Sequence, residues 1–146
     1  MTADRPAVPA SRSTPAPIAV GWATVELDRA AAELERLLAP GTTFEVAPDC
    51  PLLGARCRIG RAGGPDAPAP LIVLLEATTE GRLAATLARH GESWCATWER
   101  DASAAGTLAA GTSAPRPGPL GPERLVLGGP PSGPHRLLVS AATIGS

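Results

Sequence analysis

The sequence predicts an α+β domain. It has two strand-helix-strand-strand-strand units in succession, with helices flanking the strands, and the second unit is abbreviated. Three observations predict it. LIVLLEA (71–77) is a continuous apolar run of the kind buried inside a sheet. DRAAAELERLL and TEGRLAATLARHG repeat apolar residues at helical spacing. The shorter runs around them are rich in small and β-branched residues and are bounded by Gly and Pro turns.

In chain order, residues 1–16 (MTADRPAVPASRSTPA) are proline-rich and without period, and are expected to form a disordered tail. Residues 17–146 then make one domain, with units 17–77 and 93–143 joined by a helix over 79–91. IAVGWATVEL reads as a strand buried on both faces. The following helix places Leu27, Ala31, Leu34 and Leu38 on one face, with Asp28 as N-cap and Arg29 paired to Glu33, and Pro40 and Gly41 stop it. TTFEVA and GARCRIG are strands separated by a turn containing Pro51, and RAGGPDAPAP is a loop into LIVLLEA.

The linking helix has Leu83, Ala84 and Leu87 on one face, Thr79 as N-cap and Gly91 as its left-handed C-terminal residue. SWCATWE is a strand, and residues 101–111 make a weak helix interrupted by Gly106. APRPGPLGP is expected to hold no ladder, because its prolines lack an N–H. ERLVLGG and HRLLVSAAT supply the last two strands around the turn PPSGP.

A chain of 146 residues suits a single core. That core is built from Ala, Leu and Val, with one Phe, three Trp and no Tyr, so its stability should be modest unless a partner chain adds to it. All 13 basic residues are arginine and the net charge is −1, which leaves no basic field for nucleic acid or an anionic membrane. No run reaches the roughly 18 apolar residues of a membrane helix, and the amino terminus has no signal-peptide core, so the cytoplasm is the default location. Cys50, Cys57 and Cys95 have no paired metal-ligand spacing and read as free buried thiols.

The element order, with GWATVELDRAAAEL at the start, LLEATTEGRLAATLARHGES in the middle and GPERLVLGG near the end, resembles the vicinal oxygen chelate superfamily. The nearest likeness within it is to methylmalonyl-CoA epimerase and glyoxalase-like proteins. The likeness runs from Ile18 to Ala142 and is most specific in the middle segment. It implies two units curled into a half-open barrel around a divalent metal that stabilises an enolate-like charge, held by His and Glu ligands from four strands. Carried onto this sequence, those ligand positions fall at Ala19, Val73, Ala96 and Ser140, or Val139 with the register moved by one. Alanine and valine cannot ligate a metal, and the chain's two histidines, His90 and His135, lie in or beside loops. No metal and no cofactor are therefore expected. The habit of that family, together with the sparse core, leads to the expectation of a homodimer.

Strand alternation gives Trp94 and Trp98 the parity of Ala96, so both indoles are expected to face the cavity. They would either stack on a flat ligand or fill the space of the missing metal, and packing has the better claim because a buried indole usually packs. Trp22, of opposite parity to Ala19, should pack under the first helix, and Cys95, opposite to the tryptophans, should be core. Arg58 and Arg136 would suit a carboxylate or phosphate if they pointed inward, although solvent-facing arginine is the commoner case. Glu76 reads as a strand-end charge more readily than as a catalytic carboxylate, and neither histidine has a catalytic partner at motif spacing.

The expected function is a metal-free glyoxalase-like protein that binds a small hydrophobic or aromatic ligand in its sheet cavity, with Trp94, Trp98, Arg58 and Arg136 as ligand-binding residues and no catalytic residue assigned. The alternatives are an isomerase or lyase of the same superfamily with a different site, using a metal held by residues at other positions or chemistry carried by Glu76 and Glu99, and a scaffold or interaction subunit with a filled barrel.

Overall fold

In the computed structural model of the chain, residues 17–101, 111–127 and 134–140 are described, except for the side chain of Ser140. Among them the order is β1 (Ala19–Thr24), α1 (Leu27–Leu37), β2 (Phe44–Cys50), β3 (Ala55–Arg61), β4 (Leu71–Ala77), α2 (Arg82–His90), β5 (Ser93–Asp101), β6 (Arg116–Gly118), β7 (Gly121–Leu125) and β8 (His135–Ser140). The expected tail (1–16), all but the end residues of the weak helix expected over 101–111 and most of the turn PPSGP lie outside the described residues.

All eight strands form one sheet, ordered β2-β3-β4-β1-β5-β8-β7-β6. Within each half, the first strand runs parallel to the last, β1 with β4 and β5 with β8, and the remaining pairs are antiparallel. The halves join through the antiparallel β1 and β5. The sheet curls until β2 approaches β6, so the barrel is nearly closed.

Alternation along each strand divides the apolar residues between two faces. Ala19 and Ala23, Cys57, Val73 and Leu75, Ala96 and Trp98, and Leu137 and Val139 face inward into one buried cluster. Ile72, Leu74 and Phe44 face outward and are covered by Leu27, Ala30 and Ala31 of α1, with Trp22 packed alongside, as its parity requires. Leu83 of α2 is buried against the inner cluster, so that helix covers the end of the barrel where β1 and β4 finish.

Both helix starts differ from the expected caps. Leu27 N–H donates to Glu76 Oε1 at 2.8 Å, so a carboxylate at the end of β4 takes the free donor at the start of α1. Asp28, expected as N-cap, lies in the first turn and pairs with Arg58. At α2 the N-cap is Gly81 and not Thr79, because the first-turn donor, Leu83 N–H, is taken by the Leu53 carbonyl of the β2-β3 turn at 3.1 Å. Gly91 has the positive φ expected of it (73°) but with ψ −167°, outside the left-handed helical conformation, and its N–H donates to the Leu87 carbonyl.

The proline-rich segment does hold a ladder. β6 pairs with β7 with Pro117 facing Pro122, so the two strands forgo hydrogen bonding at the same rung. The strand expected to be missing from the second unit is therefore present, shortened to three residues on the sheet edge.

Candidate functional site

The centre of the barrel holds Ala19 on β1, Val73 on β4 and Ala96 on β5, all buried and inward. Gly21 is opposite both Val73 and Ala96, which brings the three strands together at one level. On β8 the inward residues are Leu137 and Val139, so alternation gives the inner position to Val139 and not to Ser140. None of these side chains has a ligating atom, and the described residues contain no group of three or more His, Cys, Asp or Glu able to hold a metal. The residues present do not fit the divalent metal that the resemblance implies.

The space is occupied by Trp98, whose side chain is 0% exposed. Its ring lies over Gly21, where a Cβ would come within 2.9 Å of the indole, so only glycine leaves room for it. Trp98 Nε1 donates to Glu123 Oε1 at 2.8 Å, and Cys50 Sγ donates to Glu123 Oε2 at 3.1 Å. Glu123 is 1% exposed, and Gly118 on the neighbouring strand is backbone that any Cβ would drive into its carboxylate. Burial pushes Glu123 above the usual carboxylate range, against the pull of its two donors. Burial likewise raises Cys50 and Cys57, each further raised by Glu123, and pushes Cys95 up to about 12.

Trp94 does not share this interior. β5 carries an extra residue against β1, with Gly21 opposite Ala96 but Trp22 opposite Trp94, so Cys95 is a bulge and the alternation reverses there. Cys95 and Ala96 both turn inward. Trp94 turns outward, 56% exposed, with its ring edge-on to Trp22 at 5.0 Å.

The charged candidates lie on the outer face. Arg58 pairs with Asp28 at 2.6 Å, Arg136 with Glu99 at 2.9 Å and Arg56 with Glu76 at 3.0 Å. Glu76 thus serves as a helix cap and ion-pair partner, and Glu99 is held by Arg136. His135 Nε2 lies 2.9 Å from Thr86 Oγ1, and burial with nearby Arg82 lowers its pKa.

Open space is found at the other end of the barrel from α2. A groove of about 630 Å³ is lined by Ile18, Leu71 and Leu120, which pack on the inner cluster, and by Arg61 and Arg100. Both arginines continue the inward series of their strands, Arg61 after Cys57 and Ile59, Arg100 after Ala96 and Trp98. A smaller space of about 300 Å³ adjoins it, also lined by Arg61 and Leu71.

No family model matches the chain, and no curated protein does either. Solved structures do. The chain is similar to methylmalonyl-CoA epimerase from Mycobacterium tuberculosis, at 18% identity and TM-score 0.66 over 90% of this chain and 94% of that one. A variant of the Streptomyces coelicolor methylmalonyl-CoA epimerase in complex with 2-nitronate-propionyl-CoA gives 20% identity and TM-score 0.65 over 89% and 96%. A hypothetical protein from Bacillus halodurans C-125 gives 17% and 0.61 over 86% and 93%. The fold is that of the vicinal oxygen chelate proteins. The inward residues of β1, β4, β5 and β8 in this fold, among them Ala19, Val73, Ala96 and Val139, are apolar.

Sequence reasoning missed Glu123, Cys50, Arg61 and Arg100. Arg100 shares parity with Trp98, and Glu123 shares parity with Leu125 in a strand already recognised, so alternation alone carried the signal for both. Cys50 and Glu123 meet only because the sheet closes, which no local pattern shows.

Proposed function

We propose that the chain is a metal-free binding protein on the vicinal oxygen chelate fold, taking a small apolar or aromatic ligand in the groove at the mouth of the barrel. The observation that carries this reading is Trp98: a buried, hydrogen-bonded indole fills the interior that Ala19, Val73 and Ala96 enclose, and the accessible space is displaced to the mouth. Calorimetric titration with decanol tests it, alongside Ala69→Trp, which fills the groove from its wall. Binding by the parent chain that the variant abolishes is the expected result. Undiminished binding by Ala69→Trp would overturn the placement, and one tightly bound divalent ion per purified chain would overturn the metal-free reading. The proposal carries a homodimer with it, for which sedimentation at micromolar concentration is the measurement.

A second reading, proton transfer at a carbon acid, is favoured by one observation. Glu123 is a buried carboxyl with a raised pKa inside a fold shared with epimerases, one of which is described in complex with methylmalonyl-CoA. Exchange of the C2 proton of methylmalonyl-CoA with D2O, lost in Glu123→Gln, would establish it. No exchange above the buffer rate would remove it.

A further inference from the structure

The mouth groove has a charge pattern that a purely apolar ligand leaves unused. On the outer face arginines find carboxylates: Arg29 with Glu92 at 2.8 Å, Arg56 with Glu76, Arg58 with Asp28 and Arg136 with Glu99. Among the described residues, Arg61 and Arg100 have no carboxylate partner and the lining of their groove includes no Asp or Glu. Arg61 Nη1 donates to the Ala67 carbonyl at 3.0 Å, while its Nε is buried with no acceptor. A buried donor left unpaired is unfavourable until something supplies an acceptor.

The floor between these charges is apolar. Ile18, Leu71 and Leu120 rest on the inner cluster, and prolines 17, 68 and 119 make part of the wall. The volume of about 630 Å³ is that of a small-molecule site. We propose that the groove selects an amphiphile, an apolar chain or ring bearing one anionic oxygen head group, with the head met by Arg61 and Arg100 and the apolar part laid on Ile18, Leu71 and Leu120. A guanidinium suits either a carboxylate or a phosphate because both present paired oxygens to its planar fork. This rests on the groove being the binding site, as proposed above, and adds the chemistry of the head group.

The test compares decanol, decanoate and decyl phosphate by calorimetric titration of the full chain, with Arg100→Gln, Arg61→Gln and, as a control on the outer surface of α2, Arg89→Gln. At least one anion is expected to bind about 10-fold more tightly than decanol, and the stronger of the two identifies the head class. Arg100→Gln and Arg61→Gln should each remove most of that preference and leave decanol unchanged, with Arg89→Gln behaving as the parent. Arg100 is exposed, so its variant keeps the test valid if Arg61→Gln folds poorly. Decanol binding as tightly as both anions would overturn the head-group assignment while leaving the groove in place. If none of the three binds, both proposals fall. Inorganic phosphate binding as tightly as decyl phosphate would overturn the amphiphile.

Discussion

Trp98 and Glu123 meet inside the barrel through a 2.8 Å hydrogen bond from the indole N–H to the carboxyl, and both side chains are closed off from solvent. The pair links β5 to β7 across β8, and Cys50 extends it to the end of β2 on the opposite edge of the sheet. A polar contact in such a place stabilises little on balance, but breaking it leaves the buried carboxyl with Cys50 as its one remaining side-chain donor among the described residues.

The two tryptophans of β5 should therefore respond very differently to truncation. Trp98→Ala opens a cavity and strands Glu123, which should cost about 3–5 kcal/mol. Trp98→Phe keeps most of the packing and loses the donor, at about 1–3 kcal/mol. Trp94→Ala removes an exposed ring and its edge contact with Trp22, at about 0.5–1.5 kcal/mol. Urea denaturation of the three variants checks the order; equal losses for Trp94→Ala and Trp98→Ala would contradict the structure.

Glu123 also sets a pH dependence. Burial raises its folded value above that of the unfolded chain, so the native state retains a proton that the unfolded state has released. Stability from this group is complete below the ordinary carboxylate value and declines as pH rises through the raised one. Glu123→Gln, which cannot ionise, should flatten that decline. Thermal melting across the range from pH 4 upward measures it. A slope unchanged in the variant would assign the decline to other groups.

Glu92 acts on the acid side with the opposite sign. Thr24 Oγ1 at 2.6 Å, the Val25 N–H at 2.9 Å and Arg29 hold its carboxylate below the usual range. The stability it contributes is present above the ordinary carboxylate value and is lost as pH falls through the lowered one. Because the site is largely open to solvent, the effect should be small, and Glu92→Gln should melt closest to the parent at low pH. A difference that grows on acidification would refute this.

The three thiols should be inert in the folded chain. Cys50, Cys57 and Cys95 are buried and free, and burial raises all three, so little thiolate forms near neutrality. Ellman's reagent at pH 8 should label none of them in the native protein and three per chain in denaturant. Rapid labelling of one thiol without denaturant would show that the interior opens locally.

Much of this fold was legible because its signals are local. The apolar run 71–77 became β4 without change, and helical spacing located both helices. The resemblance put Ala19, Val73 and Ala96 in the interior, where all three are buried, and alternation put Trp98 there with them. It failed at Trp94, since one bulged residue at Cys95 reverses the parity of everything before it, and bulges leave no mark in composition. The helix caps failed for another reason: the groups that took the free donors, Glu76 and the Leu53 carbonyl, are distant in sequence from the helices they serve. The expected ladder break at Pro117 failed because a second proline stands opposite it.

The seam between the halves has a consequence for how the chain divides. Apart from β1 with β5, each named strand ladder lies within one half. A backbone cut in the exposed link at Thr78–Glu80 would leave two four-stranded pieces, each presenting one newly opened edge strand, β1 or β5, as the template for the other. With Cys50 and Glu123 as a second point of contact between the pieces, the molecule is laid out for fragment complementation.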